Sequence, residues 1–290
     1  MRNYACPVLG ASASVAVSMR FVSLSILFLN LLLGARLSAA SIPHGAVDLV
    51  AENQWIVPGH KVYLGLNFQL EKGWHIYWVN PGDSGQPPRI RWHLSDGLSA
   101  GEIEWPAPRR LGTSTIVDFG YDGAVMLLVP LHASSTLPVR QAALIAAELS
   151  VLVCREICVP GKTHISLSLP IETIPPEPDT RTSALFAAAH KSLPRKSPDD
   201  WKFTVNNKTD SFVLIANLGR QITRAVFFPL EESQIDNSAP QGIVPAAIGF
   251  QLTLRKSDQL LKDIKRLKGV LELSANQAYI IDVSVGDRPN

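Results

Sequence analysis

The sequence predicts an all-β protein made of two β-sandwich domains, the second smaller and carrying one or two short helices. Three observations predict it. Apolar residues recur with period two over many short runs, clusters of turn residues separate those runs, and helical periodicity is confined to two short segments.

The amino-terminal residues 1–40 are set apart from the fold. Met19-Arg20 precedes the apolar run Phe21–Gly34, which is too short to span a bilayer comfortably and is followed by Leu37-Ser38-Ala39-Ala40, with small residues around a cleavage point. This is the pattern of a secretory signal removed near Ala40, and Met19 is a candidate start. About 250 of the 290 residues remain. No second apolar stretch approaches spanning length, so no membrane span is expected in the mature chain. A net charge of +2, from 27 basic and 25 acidic residues that are scattered along the chain, offers no electrostatic footprint for nucleic acid.

The clearest strand is Lys61–Glu71, with Val62, Leu64, Leu66, Phe68 and Leu70 on one face. The same alternation recurs at Trp74/Ile76/Trp78, Ile90/Trp92/Leu94, Val125/Leu127/Val129/Leu131, Ile145–Val153 and Ile165/Leu167/Leu169. Asn80–Gly85 and Gly120–Gly123 read as turns between them. These runs make a first domain over 41–173. Closely spaced prolines in Ile174–Asp179 then read as a stiff spacer, followed by a short helix near Thr182–Leu193, so that 174–200 is a linker. A second β-rich domain over 201–290 is expected from runs at Trp201–Val205, Phe212–Leu218, Ala225–Phe228, Phe250–Leu254, Val270–Leu273 and Ala278–Val285. Ser257 as N-cap, the stripe Leu260, Leu261, Ile264 and Leu267, and Gly269 beyond it predict an amphipathic helix.

Of the 3 cysteines, Cys6 precedes the apolar run and leaves with the signal, so Cys154 and Cys158 are the sole pair in an oxidising compartment. As an extended strand, Cys154-Arg-Glu-Ile-Cys158 would hold the two Cα atoms about 13 Å apart, whereas a disulfide needs roughly 4.4–6.8 Å. The segment must therefore bend sharply, as a helical turn or a hairpin tip, and the flanking alternation favours the hairpin. A ring this small removes only about 2 kcal/mol of unfolded-state entropy, which argues against a purely structural clip and for a redox-active dithiol. Arg155 can stabilise a thiolate at either cysteine and Glu156 opposes it, so the sequence leaves open which sulfur attacks.

Metal binding is the alternative chemistry for the same thiols. Cys154 and Cys158 with His164 could make a three-coordinate Cu(I) site, and Cys-x3-Cys followed by Pro160 resembles the motif of copper-delivering Sco proteins. Those carry it on a thioredoxin-like fold, and no βαβ pattern surrounds these cysteines. No Gly-x-Ser-x-Gly, phosphate loop or His-Glu-x-x-His is present, and Asp83 and Ser84 near His75 read as turn chemistry. Thiol exchange requires no organic cofactor.

Four separated motifs carry a family resemblance. Gly73-Trp-His-Ile-Tyr-Trp-Val-Asn-Pro-Gly-Asp-Ser-Gly-Gln-Pro-Pro88, Trp105-Pro-Ala-Pro108, Phe119-Gly-Tyr-Asp-Gly123 and Cys154-Arg-Glu-Ile-Cys-Val-Pro160 together resemble the exported N-terminal region of DsbD/ScsB-type thiol:disulfide interchange proteins, well over 45–172 and more weakly beyond. The resemblance implies an immunoglobulin-like domain in the periplasm. Such a domain would take electrons from a membrane-embedded thiol donor and pass them to oxidised periplasmic proteins, with Cys154 and Cys158 as the reactive pair. It also implies an aromatic loop shielding the dithiol, for which Phe119 and Tyr121 are the candidates. Family members usually continue into a membrane core and a thioredoxin-like end, and the sequence has neither before Asn290, so either the donor is a separate membrane protein or the relay is lost. A non-catalytic interaction module with an inert disulfide is the alternative to exchange and to copper binding.

Overall fold

A computed structural model describes residues 39–112, 115–274 and 277–286, together with Met1. The signal segment read at Met19–Leu37 lies outside the described residues. Alternating burial along the strands sets the architecture, because each apolar row must be covered by a second sheet.

The first sandwich is built from β1 (Ala40–Ile42), β2 (Gly45–Ala51), β3 (Lys61–Leu70), β4 (His75–Gly82), β5 (Arg89–Leu94), β6 (Leu98–Ala100), β7 (Arg109–Gly112), β8 (Val117–Asp122), β9 (Ala124–Ala133), β10 (Ala142–Cys154) and β11 (Cys158–Pro170). One sheet has the order β1-β2-β3-β9-β6. The other runs β11-β10-β4-β8-β7, with β5 also paired to β10. Between them lies a core that includes Leu64, Leu66, Phe68, Ile76, Trp78, Phe119, Leu127, Ile145, Leu149 and Val153, each at most 1% exposed.

After it come α1 (Ser183–Ser192), β12 (Arg195–Lys196), β13 (Lys202–Asn207), β14 (Ser211–Asn217), β15 (Val226–Pro229), β16 (Gly242–Ala246), β17 (Gly249–Arg255), β18 (Arg266–Ser274) and β19 (Gln277–Ser284). They form the sheets β12-β19-β18-β15 and β13-β14-β17-β16, closed around Phe212, Leu214, Phe227, Phe250, Leu252, Leu267 and Leu271. The chain is therefore predominantly β and sandwich-like, and α1 is the sole helix among the described residues.

Three sequence expectations are corrected. Gly120–Asp122 is not a turn but the end of β8, paired to β4 with Ile76 opposite Tyr121 and Tyr77 opposite Gly120. Gly120 is needed there because a Cβ would lie 2.1 Å from the Ile76 carbonyl oxygen. Asn80–Gly82 likewise continues β4. The helix expected over Ser257–Leu267 does not form: the segment is turns and irregular chain, Leu261 is 91% exposed, and Leu267 already belongs to β18. Leu260 and Ile264 do pack on the second core, so burial of those positions produced a helix-like spacing without a helix.

The proline-rich segment is not suspended between the sandwiches. Gln54 and Asp179 donate backbone hydrogen bonds to Glu177 and Glu52 carbonyls, and the Thr182 hydroxyl donates to the Ala51 carbonyl, laying the segment along 51–54. Helix α1 then buries Phe186 and Ala189 against Val50, Met126 and Leu128. Phe228 of β15 meets Trp78 and Phe119 edge-on, with ring centroids 6.4 and 5.3 Å apart, so the two sandwiches share an aromatic seam. Beside it the buried Asn80 amide donates to the carbonyls of Pro229 and Glu231 at 2.8 and 3.2 Å and its oxygen accepts from the Gly82 N–H. Asn80→Ala should cost about 1–3 kcal/mol, because those buried groups lose their partners. Urea unfolding of the full chain measures it, and a loss within error of zero would mean water replaces the amide.

Candidate functional site

The dithiol sits where a long hairpin closes. β10 and β11 pair without interruption from Ala142 opposite Pro170 to Cys154 opposite Cys158, which leaves Arg155-Glu156-Ile157 as the loop. The Arg155 N–H donates to the Ile157 carbonyl at 3.0 Å. Directly opposed positions bring side chains within bonding reach, and Cys154 and Cys158 are joined as a disulfide with Cα atoms 4.1 Å apart. The sharp bend expected from the sequence is thus a hairpin tip.

The two sulfurs have unequal surroundings. Val151 and Val153 point into the core, so Cys154 points to the other face of the sheet. It is nonetheless covered there, at 2% exposure, whereas Cys158 is exposed and Ile157 beside it is 66% exposed. β4 flanks β10 at this point, with His75 directly opposite Cys154. Since Ile76 and Trp78 face the core, His75 and Tyr77 share the outer face with the disulfide.

Tyr77 is fully buried, and its hydroxyl lies 3.5 Å from Cys158 Sγ. A disulfide sulfur carries no hydrogen, so the phenol is the donor. Burial pushes the Tyr77 phenol above its ordinary range, and nearby Asp118 adds to the upward push. The ring is capped by the Gly82–Gly85 turn: at Gly85, φ is +83° and a Cβ would fall 2.1 Å from the ring, so only glycine fits. Ser84 donates from its N–H and hydroxyl to Asp118 Oδ1 at 3.1 and 2.9 Å. Asp118 Oδ2 in turn lies 3.7 Å from His75 Nε2, and both residues are buried. Asp83 does the turn chemistry expected of it, accepting from the Val117 N–H at 2.8 Å and the Asn237 amide at 2.9 Å.

The other residues singled out in the sequence are placed differently. Phe119 is on the core face of β8, packed against Trp78 and Phe228, and Tyr121 is also core-facing, donating to the Pro106 carbonyl at 2.8 Å; burial holds its phenol well above the usual range. The sheet lies between these two rings and the disulfide, and the ring that touches a sulfur is Tyr77. The Arg155 guanidinium lies 5.6 Å over the Trp74 ring, which stacks on His44 at 3.5 Å, and Arg155 reaches Glu156 at 3.8 Å in an exposed ion pair. His164 pairs with Glu148 further along β11, six residues or about 20 Å of continuous strand from Cys158. The structure therefore does not bring His164 to the thiols, and among the described residues no group of three or more His, Cys, Asp or Glu could hold a metal ion.

His75 and Tyr77 share the disulfide's face of the sheet, with Ser84 and Asp118 beside them, and sequence reasoning singled out none of the four as a site residue. The available signal was the alternation of β4: if Trp74, Ile76 and Trp78 face the core, His75 and Tyr77 must share the opposite face.

Residues 46–170 match the family model of the N-terminal region of the thiol:disulfide interchange protein DsbD. The crystal structure of the N-terminal periplasmic domain of ScsB from Proteus mirabilis superposes with a TM-score of 0.62 at 19% identity, covering 84% of this chain and 94% of that one. Residues 46–170 are similar to a DsbD-type N-terminal domain. The ScsB likeness extends the common fold beyond that region into the second sandwich. The periplasmic chaperone SfaE also aligns, at 8% identity over 82% of this chain and 98% of that one, but with a TM-score of 0.23. No curated protein sequence matches the chain significantly. The first sandwich holds its disulfide at the hairpin tip, and no helix among the described residues is long and apolar enough to cross a membrane.

Proposed function

We propose that the chain is a periplasmic thiol:disulfide interchange protein that accepts electrons from a membrane-embedded thiol donor and passes them to oxidised periplasmic proteins, with Cys158 as the sulfur exchanged with partners and Cys154 as the resolving one. One observation carries the assignment of roles: at a hairpin tip that a partner can reach, Cys158 is exposed while Cys154 is 2% exposed. An incoming thiolate attacks Cys158 Sγ, and the bond's electrons leave on Cys154. In the reverse direction the Cys158 thiolate attacks a substrate disulfide and Cys154 then releases the product. Export of residues 1–40 as a signal belongs to the same reading.

Equilibration with glutathione redox buffers tests the function. A relay requires a reduction potential of about −270 to −180 mV, and a pair that stays oxidised well below that range is an inert clip. The Tyr77 hydroxyl has a part in this reading: it donates to Cys158 Sγ and stabilises its thiolate. Tyr77→Phe removes a hydrogen bond to a charged acceptor, worth roughly 1.5–3 kcal/mol, so the Cys158 thiol should titrate about 1–2 pH units higher. Thiolate absorbance against pH reads this directly, and an unshifted titration would leave Tyr77 as packing alone.

A further inference from the structure

We propose that His75 is the proton acceptor and donor for the buried sulfur, Cys154. The proposal rests on the exchange reading above and assigns the step that reading leaves without a proton path. When a donor thiolate attacks Cys158, the S–S bond breaks and Cys154 is left as a thiolate at a position with 2% exposure, where an uncompensated charge is costly. Water has little access there, so a group of the protein must supply the proton.

His75 is placed to do so. It lies directly opposite Cys154 across the β4–β10 pair, on the same face of the sheet, where opposed Cβ atoms are about 4.5–5.5 Å apart. The residue is 8% exposed, and its Nε2 is buried without a hydrogen-bond partner, although buried polar nitrogens are seldom left so. Asp118 Oδ2, at 3.7 Å, is near enough to stabilise an imidazolium and too far to hold the proton in a hydrogen bond. The other groups facing this pocket are the Tyr77 ring at 5.1 Å on the same strand, and Asp122 of β8 opposite His75, which is engaged by Arg109. Arg155, on the hairpin loop, is directed over Trp74. Tyr77 thus donates to Cys158, while Ser84 and Asp118 lead to His75, which lies opposite the other sulfur.

The steps balance as follows. In reduction of the domain, the donor thiolate bonds to Cys158 Sγ, the Cys154–Cys158 bond breaks with its electron pair on Cys154 Sγ, and the imidazolium of His75 gives that sulfur its proton. The donor's second thiolate then attacks the donor sulfur and releases Cys158 as a thiolate. In the opposite direction, the Cys158 thiolate attacks one sulfur of the substrate disulfide, and the other sulfur leaves with the electron pair and takes a proton from solvent. Neutral His75 then takes the proton of the Cys154 thiol, and the resulting thiolate attacks Cys158 Sγ. The substrate sulfur leaves with the electron pair and is protonated by solvent. His75 ends each cycle as it began.

Reaction of the reduced full chain with 5,5′-dithiobis(2-nitrobenzoate) separates the two sulfurs. The first thionitrobenzoate release is attack by Cys158, and the second, concentration-independent release is resolution by Cys154. In His75→Gln the ratio of second to first rate should fall on the order of 10²-fold near neutral pH. The deficit should close above pH of about 9.5, where a thiol ionises unaided. Asp118→Asn, which keeps the oxygen that Ser84 binds, should lower the ratio in the same direction by a smaller factor, and it decides the matter if His75→Gln does not fold. A ratio and pH profile equal to those of the parent chain, in every variant that folds, would overturn the role of His75. No first release at all from the native reduced chain would instead end the exchange reading itself.

Discussion

Cys154→Ser should convert the chain into a trap: offered an oxidised protein or glutathione disulfide, it accumulates a stable mixed disulfide through Cys158, whereas Cys158→Ser captures almost none. The asymmetry follows from burial, since Cys154 is 2% exposed at the end of β10 and Cys158 is exposed at the start of β11. A mixed disulfide on Cys158 persists in the first variant because nothing remains to attack it. In the second variant the surviving thiol is 2% exposed on β10, where a visiting disulfide has little access. Non-reducing electrophoresis with mass analysis of the adduct gives the answer. Equal trapping by both variants would show that the hairpin tip opens enough to expose either sulfur.

Phe119→Ala should destabilise the folded chain by about 3–5 kcal/mol, the usual result of removing a buried ring. Phe119 is fully buried between Trp78 and Phe228, so its loss leaves a cavity at the seam where the two sandwiches share a core. The same substitution should not speed the oxidation of the dithiol by air, because the ring lies on the far side of the sheet from the sulfurs. Denaturant unfolding measures the first effect and timed thiol counting the second. Fast oxidation with little loss of stability would mean that Phe119 leaves the core and covers the site in solution.

The sandwich was readable in the sequence wherever one face of a strand is apolar and the other polar. β3 and β10 announce themselves this way, with Leu64, Leu66 and Phe68, or Ile145, Leu149 and Val153, at alternate positions. β8 escaped because Val117-Asp-Phe-Gly-Tyr-Asp122 is rich in turn-forming residues. Its glycine serves close backbone approach to Ile76 and its Asp118 serves the site. Ser257–Leu267 misled in the opposite direction, since spacing reports which positions are buried and not how the backbone travels between them.

The dithiol itself was readable from cysteine arithmetic and from the geometry of a five-residue bend. Its neighbours were harder to see. Tyr77 and His75 come from β4, the cap over Tyr77 from the Gly82–Gly85 turn, and Asp118 from β8, so the pocket is assembled by strand register, which no local window contains. Shielding by Phe119 and Tyr121 was a natural expectation for aromatics near a Gly-rich motif. The parity of β8 sends both rings into the core instead.

Limited alkylation of the reduced full chain with iodoacetamide, read by peptide mass at Cys154 and Cys158, tests the account most directly. The account predicts carboxamidomethylation of Cys158 well before Cys154 while the chain remains folded, with the difference vanishing in denaturant. Preferential modification of Cys154 in the folded chain would contradict it.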